Sequence, residues 1–308
     1  LLETPPAQAP EVRLDLETLA AVIDGALAQG RELLNEPEAK AVLQACGIPI
    51  VATRVVSPDP VDAARAAAEV GFPVVLKILS PQISHKSDVG GVALALEDEA
   101  AVREAVAAML HRVRLLRPKA VVEGFTVQAM IRRPQALELI VGAHVDPLFG
   151  PVILFGHGGT SVEVVADRAV AMPPLNAPLA RALIGRTRIS KLLAGWRDVP
   201  PADLGAVSQV LCAVAQLLAA EPRIAELDIN PLLADAAGVI ALDARVRISA
   251  KAPGGAAHFA IRPYPAELET PLDWQGRVLQ LRPIRPEDEA MHLAFLQQQQ
   301  AVGRQRQR

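Results

Sequence analysis

Pro73–Val92 reads PVVLKILSPQISHKSDVGGV. Its first part, Pro73 to Leu79, is short, β-branched and apolar except for Lys77, which predicts a strand buried in a sheet. An ammonium group in the middle of such a strand is costly unless an anion meets it. Lys77 therefore either snorkels to water, pairs with a carboxylate, or waits for an anionic ligand. The loop that follows, Ser80 to Gly91, combines His85, a second lysine (Lys86), the hydroxyls of Ser84 and Ser87, and the pair Gly90-Gly91. Glycines let backbone N–H groups approach phosphate oxygens, and lysine adds a point charge. An ordinary hairpin loop with solvated charges is the plain alternative. Placed directly after a lysine-bearing strand, the combination points to phosphate.

Working outward, helices and closely spaced strands alternate. Glu36 to Cys46 has helical apolar spacing and stops at Gly47, a natural helix terminator. Ile48 to Val56 reads as a strand. Asp59-Pro60 supplies an N-cap and a first-turn proline for a helix ending near Gly71. After the strand Gly91 to Leu96 comes a helix from about Glu99 to Arg117. Four strand-like runs follow: Ala120 to Glu123, Thr126 to Ile131, Leu137 to Val145 and Val152 to Phe155. Helices are expected over Asn176 to Arg186 and Asp203 to Ala220, then a hairpin-like pair, Ile224 to Ile229 and Val239 to Ala244. The pattern predicts mixed α+β or α/β layers.

The chain has 308 residues, 51% of them hydrophobic and only 3% aromatic, with a net charge of -3. It is long enough for about two domains with cores of Ala, Val, Leu and Ile. A near-neutral surface carries no field that would gather nucleic acid or an anionic membrane, so an anionic ligand needs a local site. Leu204 to Ala220 is interrupted by Ser208, Gln209 and Gln216 and is short of the roughly 20 apolar residues of a membrane span. A buried helix is expected there. Cys46 and Cys212 sit in apolar helical contexts without CxxC spacing, which predicts reduced core residues of a cytoplasmic protein.

Two further motifs carry chemistry. Gly156-His157-Gly158-Gly159 follows an apolar strand and forms a second glycine-rich turn, which either covers a nucleotide or is simply a tight turn. Glu226-Leu227-Asp228-Ile229-Asn230-Pro231 places two carboxylates and an amide on alternate positions, with Asp243 in the next strand. Such oxygens suit Mg²⁺, which takes one or two protein ligands and completes its shell with phosphate and water. A solvent-facing strand edge is the competing reading. The flanking Leu and Ile favour the metal.

Taken together, VVLKILSPQISHKSDVGGV (Val74 to Val92), ELIVGAHVDPLFGPVILFGHGG (Glu138 to Gly159) and ELDINPLL (Glu226 to Leu233) resemble the ATP-grasp domain of the NDP-forming acyl-CoA synthetases. The resemblance runs from about Leu34 to Arg247. It implies an ATP-grasp fold of two subdomains closing on ATP or ADP, and a reaction interconverting acyl-CoA, ADP and phosphate with free acid, CoA and ATP. By position, Lys77, with Lys86 and the Gly90-Gly91 turn, resembles the phosphate contacts. Gln128 to Met130 resembles the hinge that meets adenine, with Gln128 and Met130 as its ends. Glu138, Gly158 and Gly159 lie near the nucleotide pocket. Asn230 and Asp243, with Asp228 beside them, resemble the Mg²⁺ ligands. His85 matches a phosphoryl-carrying histidine, and a neutral imidazole is a good nucleophile toward phosphorus.

The expected organisation is a linker and short helix over 1–33, the ATP-grasp domain over 34–250, and a Pro/Gly/Ala-rich linker over 251–271. Residues 272–308 would then form a truncated piece with a polar tail. Leu272 to Leu296, with a strand over Arg277 to Arg282 and a helix from near Pro286, resembles the opening of a GNAT acetyltransferase. The family's CoA-binding and phosphohistidine domain is absent from this stretch. The resemblance therefore implies a partner domain supplying CoA and the small carboxylic acid site. An alternative is a nucleotide- or acyl-CoA-sensing domain governing a fused acetyltransferase.

Overall fold

Two antiparallel sheets, each backed by helices, face one another across the middle of the chain in a computed structural model. It describes Pro5 and residues 12–83, 86–159, 162–285 and 288–296. Helices α1 (Leu16–Ala28) and α2 (Glu36–Ala45) come first. β1 (Thr53–Val56), α3 (Pro60–Val70), β2 (Val74–Leu79), β3 (Val92–Leu96), α4 (Glu99–Leu116) and β4 (Gly124–Ala129) build the smaller body. Its sheet runs β1-β4-β2-β3, with β2 in the interior, as its apolar run predicts. Ala63, Ala67, Val102 and Val106 of α3 and α4 fill a core with Val74, Leu76 and Ile78 of β2.

The larger body holds β5 (Leu137–Asp146), β6 (Gly150–His157), the short α5 (Val162–Val165) and β7 (Arg168–Ala171). It continues through α6 (Ala177–Gly185), α7 (Ser190–Leu193), α8 (Leu204–Ala220), β8 (Ile224–Asp235), β9 (Gly238–Ala241) and β10 (Ala244–Ile248). The sheet order is β10-β8-β5-β6-β7, with β9 on the far half of β8. Helix α8 is buried on most sides, as its composition predicts, and none of the described helices is long and apolar enough to cross a membrane. The core of the larger body also takes in Leu19, Ile23 and Ala26 of α1 and reaches Phe259.

Local signals explain most of the boundaries. Asn35 and Glu38 form a reciprocal capping box on α2, and Gly47 closes that helix with φ near +72°. Asp59 caps α3 by accepting from the Val61 N–H at 2.7 Å.

Other expectations need correcting. Ala120 to Glu123 is irregular; the strand begins at Gly124, where the Val56 carbonyl stands 2.2 Å from where a Cβ would sit. Ile48 to Val56 narrows to β1, with Ile50 making only an isolated bridge to Ala241. The expected pairing of Ile224 to Ile229 with Val239 to Ala244 is replaced by one long strand. β8 runs through Asn230-Pro231, its first half against β10 and its last against β9. Leu139 pairs with Leu232 and Val141 with Ile229, so Asn230 and Pro231 together oppose Ile140. That is a β-bulge, which accommodates a proline without N–H and re-aims its neighbour's side chain. Beyond the larger body, β11 (Thr270–Trp274) pairs with β12 (Arg277–Leu281). Pro271 disguised the first of these as linker. Residues 289–296 are helical, as expected.

Candidate functional site

The first turn of α2 points Glu36 inward, where its side chain is only 2% exposed. Three ammonium groups meet it. Lys77 Nζ, from the middle of β2, donates to Glu36 Oε1 at 2.8 Å. Lys40, one turn along α2, lies 3.1 Å from the same oxygen, and Lys86, on the single 3-10 turn Lys86–Val89, donates to Oε2. Lys40 also donates to Gln128 Oε1 at 2.6 Å and Thr53 Oγ1 at 2.7 Å. Burial alone would raise the Glu36 carboxyl, but the neighbouring positive charges of Lys77, Lys86 and Lys40 bring it down to about 2. Burial lowers Lys40 to about 8 against the pull of Glu36.

Lys77 reaches further, to the Leu242 carbonyl at 3.4 Å and to Asp243 Oδ1 at 3.5 Å. It thereby links the smaller body to the turn between β9 and β10. A cleft of about 1190 Å³ opens here, lined by Glu36, Lys86, Ser87, Glu138, Gly159, Asp228, Asn230 and Asp243. Lys86 faces the cleft from the smaller body, and Glu138, Asp228 and Asp243 face it from the larger one. Asp228 is raised by burial and by the nearby charge of Asp243, against the pull of Arg245.

Of the residues expected from sequence, Lys86, Glu138, Gly159, Asp228, Asn230 and Asp243 line this cleft, and Lys77 stands directly behind Glu36. Asn230 Oδ1 accepts from the Gly159 N–H at 2.7 Å, tying the bulge to the glycine turn. Gly159 has φ near +78°, and a Cβ there would fall 1.7 Å from Glu138 Oε2. Both features require glycine.

The remaining glycines have other duties. Gly90 N–H donates to Ser87 O and Gly91 N–H to Lys86 O, so these groups close the loop on itself. Gly158 N–H donates to Glu138 O at 2.8 Å. Gln128 turns its side-chain oxygen to Lys40, and the Met130 N–H, just past the end of β4, donates to Pro73 O at 2.9 Å. His85 lies outside the described residues, while Ile83 and Lys86 on either side of it line the cleft.

Sequence reasoning overlooked Glu36 and Lys40. The signal was available in EPEAKAVL, Glu36 to Leu43, where Lys40 falls among Ala39, Val42 and Leu43 on the apolar face. The argument that singled out Lys77 applies equally to a lysine on the buried face of a short helix.

Comparison with known proteins agrees with this geometry. Residues 25–248 match the ATP-grasp domain family. The β subunit of ADP-forming acetate–CoA ligase I from Pyrococcus furiosus is 37% identical over 225 residues, 73% of this chain and 95% of that subunit. Among solved structures, the dinucleotide-forming acetyl-coenzyme A synthetase 1 of Candidatus Korarchaeum cryptofilum, in complex with coenzyme A, Ca-AMPCP and HgCl⁺, superposes with a TM-score of 0.71. It shows 37% identity and covers 75% of this chain and 99% of that one. The same synthetase with coenzyme A and Mg-AMPPCP, its phosphohistidine segment pointing towards the nucleotide-binding site, gives a TM-score of 0.65 at 35% identity, with coverage of 75% and 99%. The chain therefore belongs to the ATP-grasp family, as the ATP-grasp module of an ADP-forming acyl-CoA synthetase.

Proposed function

We infer that this chain binds MgADP or MgATP in the cleft between its two bodies and passes a phosphoryl group through His85. The observation that carries the reading is the meeting of lysines and acids at the cleft: Lys86, Asp228 and Asp243 line it, and Lys77, held by Glu36, reaches within 3.5 Å of Asp243. A nucleotide phosphate with a bound divalent cation has the complementary pattern.

The donor set fits Mg²⁺. Asp243, Asp228 and Asn230 offer only oxygen ligands, and the charge of Asp243 is felt at the Asp228 carboxyl. Among the described residues no group of three or more His, Cys, Asp or Glu is gathered for a metal. That suits an ion which keeps phosphate and water in its shell. When bound, Mg²⁺ would neutralise charge on the phosphates.

The chain's own part is positioning. Lys77 and Lys86 would receive the phosphate oxygens, and Glu138 and the Gly159 turn bound the pocket opposite. A nitrogen of the His85 imidazole would bond to the γ-phosphorus as the bond to the β–γ bridging oxygen breaks, and ADP would leave. In the ATP-forming direction the steps reverse. A partner subunit or domain would carry the phosphoryl group onward to CoA chemistry on a small carboxylic acid, since a β-type module holds only the nucleotide end of the reaction. We place the chain in the cytoplasm, where two cysteines in apolar helical contexts without CxxC spacing suit a reducing compartment.

Labelling tests the carrier role. Supplied with its CoA-binding partner and γ-labelled ATP, the chain is expected to acquire an acid-labile, base-stable label that vanishes in His85→Asn. That variant should keep its ATP affinity, because it lacks the nucleophile and not the phosphate contacts. Full turnover of the reconstituted His85→Asn enzyme would show that His85 is not the carrier.

A further inference from the structure

One carboxylate holds three ammonium groups in a place from which water is largely excluded. The Glu36 side chain is 2% exposed, and those of Lys40 and Lys77 are 2% and 9% exposed. Without the carboxylate, three cations converging on one point would repel one another, and burial would favour their neutral forms. With it, the four side chains carry a net charge of +2, three ammonium groups less one carboxylate. Lys77 and Lys86 come from the smaller body and Glu36 from α2, whose apolar face lies in the core of the larger one. The base of the helix is itself fixed: Asn35 and Glu38 cap it reciprocally, and Arg31 holds Glu38 through two hydrogen bonds of 2.8 and 2.6 Å.

We propose that Glu36 is the positioning residue of the phosphate site: its buried carboxylate gathers Lys77 and Lys86 from the smaller body and presents them to the cleft. Lys40 stabilises this carboxylate from the side of Gln128 and Thr53. The assignment rests on the nucleotide-binding reading above. Glu36 acts through the lysines and touches neither the nucleotide nor the metal. A carboxylate near a phosphate would ordinarily repel it. Here the repulsion is outweighed, because the same group fixes two cations that would otherwise repel one another.

The test is calorimetric titration of ADP, with Mg²⁺ and with the metal chelated, into the wild type, Glu36→Gln, Glu36→Asp and Lys86→Met. Cooperative thermal unfolding serves as the check on folding. Glu36→Gln is expected to lose at least about tenfold in affinity under both conditions, because the effect runs through the lysines. Glu36→Asp, which keeps the charge on a shorter arm, is expected to recover part of the loss. Combining Glu36→Gln with Lys86→Met should cost less than the product of the two separate losses, since both act on one contact.

Wild-type or tighter binding by Glu36→Gln would overturn the assignment, as would equal losses in Glu36→Asp and Glu36→Gln. Should Glu36→Gln not unfold cooperatively, Lys86→Met decides: a tenfold loss supports the assignment, and unchanged affinity overturns it. A wild type that binds no ADP removes the functional reading as well, whereas a binding wild type with an indifferent Glu36→Gln removes this assignment alone.

Discussion

The two walls of the cleft handle charge in opposite ways. On the smaller body, Lys77 is nearly buried at 9% exposure and held by the more deeply buried Glu36, so its position is set before any ligand arrives. On the larger body, Asp243 remains 44% exposed and meets Lys77 only at 3.5 Å. Asp228 nearby is raised by burial and by the charge of Asp243. One wall is a preformed cation site that one buried carboxylate holds together and leaves net positive; the other carries a pair of acids left to be neutralised. The difference teaches which residues should matter for folding and which for binding alone.

The largest expected effect is on stability. Removing the charge of Glu36 by Glu36→Gln leaves three converging ammonium groups, those of Lys40 and Lys77 buried, without their counter-charge and should destabilise the chain by about 3 kcal/mol or more. Asp243→Asn, on the open wall, should change stability by less than about 1 kcal/mol. Denaturant unfolding of both variants checks this, and similar losses for the two would erase the contrast between the walls.

A related effect follows from pH. The Glu36 carboxyl is lowered from 4.5 to about 2 in the folded chain. Its contribution is therefore present above pH 4.5, where the unfolded chain is also ionised, and is lost as pH falls toward 2. The loss should be on the order of 3 kcal/mol across that window. Glu38 and Asp167 are also lowered, so the part owed to Glu36 is the difference between wild type and Glu36→Gln. Parallel stability curves for the two proteins between pH 4.5 and 2 would contradict the account.

The smallest effect sharpens the comparison within one wall. Thr126 lies opposite Lys77 in the β2–β4 register, and its buried Oγ1 has no hydrogen-bond partner among the described residues. Thr126→Val should be neutral or stabilising by up to about 1 kcal/mol, because an unsatisfied hydroxyl is exchanged for a methyl of the same shape. Measurable destabilisation would mean that this hydroxyl is satisfied in the folded protein.

Much of this was legible in the sequence, and the limits have physical causes. Lys77 stood out because a cation in an apolar strand demands an anion, and Asp228, Asn230 and Asp243 because clustered oxygens suit a hard cation. Glu36 escaped notice because its role depends on three lysines drawn from α2, β2 and a loop, a convergence that no single segment contains. Asn230-Pro231 looked like a turn, since proline cannot join a ladder, yet a bulge carries it through β8. Edge strands such as β7, with its exposed residues, left no periodic signal to read. Gly90 and Gly91 drew attention for their freedom to approach phosphate, whereas their N–H groups close a turn.

The central claim is that the cleft is a Mg-nucleotide site with Lys77 on one wall and Asp243 on the other. Isothermal titration of MgADP into the wild type, Lys77→Ala and Asp243→Ala tests it most directly. The wild type should bind, and losing a charge-assisted contact should cost on the order of 2 kcal/mol, about thirtyfold in affinity, in each variant. No binding by the wild type, or equal binding by all three proteins, would contradict the account.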